Sequence, residues 1–189
     1  MLTGLVLIGG RSLRMGSDKS VINYHGKPQR DYLYDLLGAF CSEAYLSCRA
    51  EQANELSRYL IIKDIYSSEG PLGALLSAFE YNPDTAWLVV ACDMPFVNAD
   101  AVDFLQKNRD CSKIATAFLN LTTQLPEPLF CIWEPEALPV LKAAFANNQR
   151  APTKILEQNQ VALLRSTHPQ LLWNVNTKQE YEEATKSNL

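Results

Sequence analysis

Leu5-Val6-Leu7-Ile8-Gly9-Gly10-Arg11-Ser12-Leu13-Arg14-Met15-Gly16-Ser17-Asp18-Lys19 is the stretch that decides the fold. Four consecutive apolar residues stopped by two glycines read as a short strand buried on both faces, as in a parallel sheet. The glycines that follow let backbone N–H groups turn inward around an anion. Arg14 and Lys19 can neutralise phosphate oxygens. The loop is not a Walker A motif, because Gly10 to Gly16 is one residue too long and no Gly-Lys-Ser/Thr follows. It is not GxGxxG either.

Working outward, the same alternation of strand and helix continues. Ala44-Tyr45-Leu46-Ser47, Leu60-Ile61-Ile62 and Trp87-Leu88-Val89-Val90-Ala91 read as further strands, and so do Ile114–Phe118, Leu129–Trp133 and Val161–Leu164. Between them, Asp31–Phe40, Leu72–Tyr81, Ala101–Gln106, Leu138–Phe145 and Lys154–Gln158 carry helical spacing, and Glu180–Thr185 closes the chain as a helix. Asn98 is placed to cap the third of these helices. Strands alternating with helices of this length give an α/β sheet with parallel connections. Ligands of such sheets gather beyond the carboxyl ends of the strands, so the polar residues just after each strand carry the argument.

Composition narrows the class. The chain has 189 residues, 47% hydrophobic and 20% charged, so one domain is the default. Disordered, collagenous, coiled-coil and disulfide-scaffold proteins are excluded. The net charge of −4 argues against a nucleic-acid or anionic-membrane binder. Residues 11–30, however, set five basic side chains against Asp18 alone, a local +4, while the remainder sums to −8. A basic island on an acidic protein suits a small anionic ligand. No signal peptide or apolar membrane-length run is read, and the chain is expected to be cytoplasmic. Five cysteines without a CxxC pair, and two histidines, give no zinc spacing and read as reduced thiols.

Two carboxylates follow strands. Asp64 is followed by Glu69-Gly70-Pro71-Leu72-Gly73. It could accept hydrogen bonds from a guanine edge or a ribose, or serve as a cap or solvated loop residue. Asp93 ends the strongest strand in Ala91-Cys92-Asp93-Met94-Pro95, where an unpaired desolvated carboxylate is costly. A divalent cation would satisfy it, and Mg²⁺ favours one or two carboxylates plus phosphates and water; a turn cap is the plainer alternative. Near the C-terminus, Asn174 and Asn176 share one face if the segment is extended, and Thr177 with Glu180 forms a capping box. His25-Gly26-Lys27-Pro28 reads as a turn whose Lys27 is solvated or near phosphate. Trp87 and Trp133 read as core.

The stretch LIGGRSLRMGSDK, residues 7–19, resembles the signature of the nucleotidyltransferases related to molybdenum cofactor guanylyltransferase. The resemblance extends from Leu5 to about Tyr181, through GPLGA, CDMP and the terminal NVNT. It implies a Rossmann-like three-layer sandwich, with a mostly parallel sheet and one antiparallel strand, formed by residues 1–189 as a single nucleotidyltransferase domain. It also implies that Leu7, Ile8, Gly9 and Gly10 line the base and ribose, and that Arg14 and Lys19 hold phosphates. Ser47, Asp64, Gly70, Pro71 and Leu72 would touch the nucleotide. Asp93 would bind Mg²⁺ with Asn176 as second ligand, leaving Cys92 a buried neighbour. Arg14, Lys19 and Asp93 would be the catalytic set.

The same resemblance implies GTP as donor and molybdopterin as acceptor, with transient contact to cofactor-delivery or acceptor enzymes. Three residues depart from the family pattern. Ile8 replaces an alanine, Met94 stands where guanylyl enzymes have threonine and cytidylyl relatives often have methionine, and Gln29 replaces an apolar residue. Gly9-Gly10 and GPL favour guanine. A cytidylyl- or other nucleotidyltransferase acting on a different phosphorylated acceptor, or a non-catalytic nucleotide-binding accessory protein, are the alternatives.

Overall fold

The apolar run after the N-terminus becomes an inner strand of a seven-stranded sheet in the computed structural model, which describes residues 1–9, 18–66, 69–166 and 168–187. The strands are β1 (Leu2–Leu7), β2 (Ala44–Cys48), β3 (Ile61–Lys63), β4 (Ala86–Ala91), β5 (Ala115–Asn120), β6 (Leu125–Trp133) and β7 (Val161–Leu164). The helices are α1 (Gln29–Phe40), α2 (Gly70–Tyr81), α3 (Ala99–Lys107), α4 (Ala137–Ala146), α5 (Pro152–Glu157) and α6 (Lys178–Lys186). Their order across the sheet is β3-β2-β1-β4-β6-β5-β7. β1 pairs in parallel with both β2 and β4, and β6 runs antiparallel to both its neighbours. The mostly parallel three-layer sandwich with one antiparallel strand is therefore what forms.

Alternation along the strands sends side chains to two cores. Val6, Leu46, Leu88 and Val90 face Leu33 and Leu37 of α1 and Val102 and Leu105 of α3. Leu5, Tyr45, Trp87 and Val89 face Leu75 and Phe79 of α2, Leu141 of α4 and Ile155 of α5. β4 is buried along its whole length, as expected of a strand covered on both faces. Trp87 and Trp133 are fully buried.

Element boundaries shift where non-local contacts decide them. β1 ends at Leu7, and Ile8 continues the ladder only through its N–H to Ser47 O at 3.1 Å. β6 begins at Leu125 rather than Leu129 and passes through Pro126 and Pro128. A register shift between Ala117 and Leu119 relieves the pairing there, and such irregularities are where a sheet tolerates proline. Two 3₁₀ turns, Lys19–Val21 and Ala50–Leu56, lie in stretches without periodicity.

The start of α2 explains its sequence. Gly70 sits at φ 62°, in the left-handed region, and Pro71 presets the first turn. A Cβ on Gly73 would stand 2.6 Å from Tyr66 O, so α2 can approach the preceding loop only with glycine there.

One buried ion pair anchors the end of β6. Arg109 donates through Nε and Nη2 to the two oxygens of Glu134, both at 2.6 Å, and the Glu134 side chain is 2% exposed. Replacing one partner strands a desolvated charge. Arg109→Ala is expected to destabilise the fold by about 2–4 kcal/mol. Arg109→Lys should recover only part of this, because an ammonium cannot make the two-pronged contact. Urea unfolding followed by circular dichroism checks both.

Candidate active site

The chain crosses from β1 to β2 through α1 on one face of the sheet and from β3 to β4 through α2 on the other, with β1 and β4 side by side. This topology opens a crevice at the carboxyl ends of the strands. A cavity of about 700 Å³ lies there. Of the residues expected at the site, Leu7, Ile8, Gly9, Lys19, Ser47, Asp64, Gly70, Pro71, Asp93 and Asn176 line it. Gly10 and Arg14 lie outside the described residues. Leu72 departs from expectation: it is fully buried among Leu75, Leu76 and Phe79 and does not line the cavity. The helical period turns Pro71 and Ala74 outward and Leu72 onto the sheet.

Sequence reasoning also missed contributors. Arg49, just after β2, lines the cavity and donates from Nη1 to Gly9 O at 2.8 Å, fixing the last described residue of the glycine loop. Asp18 lines it too, and caps the first 3₁₀ turn by accepting from Ser20 N at 2.9 Å. The only available signal was their position beside predicted strand ends and loops. Asp64 Oδ1 accepts from Tyr66 N at 2.9 Å and from Ser77 Oγ at 3.1 Å. The loop-capping role and the cavity-lining role thus coexist in one carboxylate.

Asp93 carries the electrostatics. Burial raises its carboxyl from its ordinary value, while the Lys19 ammonium pulls it down. Its Oδ1 is buried and has no hydrogen-bond partner among the described residues. Lys19 Nζ donates to Asn176 Oδ1 at 2.8 Å and to Val175 O at 3.2 Å. Val175 N in turn donates to Asp93 O at 2.8 Å. The C-terminal segment is held from behind by the capping box, with Glu180 Oε2 accepting from Asn176 N at 2.7 Å and Thr177 N at 2.8 Å.

These residues fit a divalent cation. The orphaned Asp93 oxygen is a ready hard ligand, and Asn176 Oδ1 retains a lone pair beside its bond to Lys19. Among the described residues no cluster of three or more His, Cys, Asp or Glu could hold a metal by itself. An ion here would therefore take much of its coordination from phosphate and water, as Mg²⁺ does. Burial pushes the Cys92 thiol up, which leaves it a protonated neighbour and not a nucleophile.

A glycine-loop strand, a lysine and a metal-competent aspartate around one crevice define a nucleotidyltransferase. The chain belongs to the family described as the MobA-like NTP transferase domain, which it matches over residues 4–165. It is 34% identical to a molybdenum cofactor biosynthesis bifunctional protein of Synechocystis, over 95% of this chain and 52% of that one, so it spans about half of that relative. It is 30% identical to a molybdenum cofactor guanylyltransferase of Xanthomonas euvesicatoria, covering 98% of this chain and 95% of the other. Its fold is shared with the crystal structure of molybdopterin-guanine dinucleotide biosynthesis protein A from Archaeoglobus fulgidus. There the TM-score is 0.82 at 23% identity, covering 98% and 97% of the two chains. Among the described residues no helix is long and apolar enough to cross a membrane.

The capping box predicts a pH signature. The backbone N–H groups of Asn176 and Thr177 hold the Glu180 carboxyl below its ordinary value of 4.5. A depressed carboxylate contributes stability that is present above its unfolded value and lost as pH falls through the folded one. Glu180→Ala should cost about 0.5–1 kcal/mol at neutral pH. The difference from wild type should vanish in acid, as thermal melts across the pH range would record.

Proposed function

We propose that residues 1–189 act as one domain that transfers GMP from Mg·GTP to the terminal phosphate of molybdopterin, releasing pyrophosphate. The observation that carries this reading is Asp93: a half-buried carboxylate whose buried Oδ1 has no partner among the described residues, just after an inner strand, sharing a crevice with Lys19 and Gly9. The names of the similar proteins support the choice of donor and acceptor.

Asp93, with Asn176, would hold the Mg²⁺. The ion, when bound, supplies charge neutralisation at the phosphates. The chain's own residues do the rest. Leu7, Ile8 and Gly9 line the base and ribose, and Lys19 offsets charge accumulating on the departing pyrophosphate. Ser47, Asp64, Gly70 and Pro71 orient the nucleoside. An acceptor phosphate oxygen attacks the α-phosphorus, forming the new P–O bond. The bond from the α-phosphorus to the bridging oxygen breaks, and its electron pair leaves with pyrophosphate. A phosphate nucleophile is ionised at neutral pH, so the step asks for positioning and electrostatics and for no general base.

The methionine departure does not weigh against guanine. Met94 is fully buried in the core and does not line the cavity. Ile8 lines it, but its side chain is 2% exposed.

Thermal shift with Mg²⁺ and a nucleotide panel tests the donor. GTP should stabilise the chain more than CTP, and equal stabilisation overturns the guanine assignment. Pyrophosphate release from GTP should require molybdopterin, and Asp93→Ala should lower it roughly 100-fold or more. Release that is indifferent to Asp93→Ala overturns the mechanism.

A further inference from the structure

The turn that follows Asp93 is held by side chains from one preceding segment. Gln29 Nε2 donates to Met94 O at 3.4 Å, His25 Nε2 to Pro95 O at 2.9 Å and Tyr32 Oη to Val97 O at 3.2 Å. The partner is a carbonyl, which only accepts, so His25 carries its proton on Nε2. The His25 ring is stacked on Tyr32, with centroids 3.7 Å apart and planes 18° from parallel. Gly26, at φ 75°, reverses the chain beside His25, and Gln29 N donates back to Ile22 O at 2.8 Å.

These contacts complete a ring. Residues 19–32 hold the turn after Asp93 through Gln29, His25 and Tyr32. Val175 holds the Asp93 carbonyl, and Lys19 holds Val175 and Asn176. The same short segment thus carries the phosphate-side lysine at one end and the anchors of the aspartate's turn at the other. Gln29 also gains a reason. An apolar residue there could not donate to Met94 O.

We propose that His25, braced by Tyr32, is a positioning residue that fixes the Asp93 turn, and with it the aim of the Asp93 carboxylate. It couples that aim to Lys19. The inference rests on Asp93 being the metal ligand of the proposed reaction. Partners that orient ligating groups from behind typically change metal affinity or activity by about 10–100-fold when removed.

The test is Mn²⁺ binding by electron paramagnetic resonance, with and without GTP, on the full chain and its variants, alongside kcat, the KM for GTP and Tm. His25→Ala should weaken Mn²⁺ binding and lower kcat by about 10-fold. The KM for GTP should stay within about twofold and Tm within about 3 °C. His25→Gln, whose amide nitrogen reaches where Nε2 sits, should restore most of both. Tyr32→Phe keeps the stacked ring and loses only the hydroxyl, so it reads the same ring of contacts if His25→Ala fails to fold; a smaller loss of Mn²⁺ affinity is expected. Unchanged Mn²⁺ affinity in folded His25→Ala, or in Tyr32→Phe where His25→Ala does not fold, overturns the proposal. So does a folded His25→Gln that rescues nothing. If the wild type binds Mn²⁺ and GTP but turns over no acceptor, the proposed reaction fails, while the Mn²⁺ comparison still decides the role of His25.

Discussion

A carboxylate with one oxygen withdrawn from water, at the end of a strand covered on both faces, is the constraint around which this molecule is organised. Burying an ionised group without compensation costs several kcal/mol. Among the described residues, the Lys19 ammonium offsets that cost for Asp93, whose backbone is hydrogen-bonded in place. Its carbonyl is tied to Val175 and its turn to His25, Gln29 and Tyr32. An arrangement that raises the energy of an oxygen while giving it no partner among the described residues makes sense if the partner arrives with the substrate. The position of the crevice follows from topology, because β1 and β4 are the neighbours at which the crossovers switch from one face of the sheet to the other.

The antiparallel strand has its own part in the site. The β4–β6 register pairs Val90 with Phe130. Because β6 runs the opposite way, its early residues, and not its carboxyl end, approach Asp93. Leu129 reaches the cavity wall. Glu127 is nearly buried just before it, and burial, with the Asp93 charge adding to it, raises that carboxyl. A parallel strand in this place would have brought a loop and its flexibility to the same spot.

Much of this was legible in sequence because it is local. The continuous apolar run of β4 followed by Cys92-Asp93, the glycines after β1, the Gly-Pro start of α2 and the Thr177–Glu180 box each announce themselves within a few residues. What stayed hidden depends on residues far apart in the chain. His25-Gly26-Lys27-Pro28 looks like an ordinary turn until Pro95 is placed beside it. Gln29 looks like a departure from an apolar position until Met94 supplies the acceptor. Arg49 carries no motif, and Leu72, which the resemblance placed at the nucleotide, packs in the core, because a matching segment does not say which of its side chains point outward. β6 was read four residues short because its prolines hide a strand that a shifted register accommodates.

The chain that makes the site is also a chain that finishes it late. All seven strands are complete by Leu164, and the matched family region ends at residue 165. Yet Lys19 is held by Val175 and Asn176, 156 and 157 residues away in sequence. The segment that braces Asp93 belongs to no strand and joins the first core through Leu171 and Leu172. Contacts this distant in sequence carry a loop-closure cost before they contribute stability. Fraying of that segment alone would leave the sheet intact and the Asp93 carbonyl without its Val175 anchor.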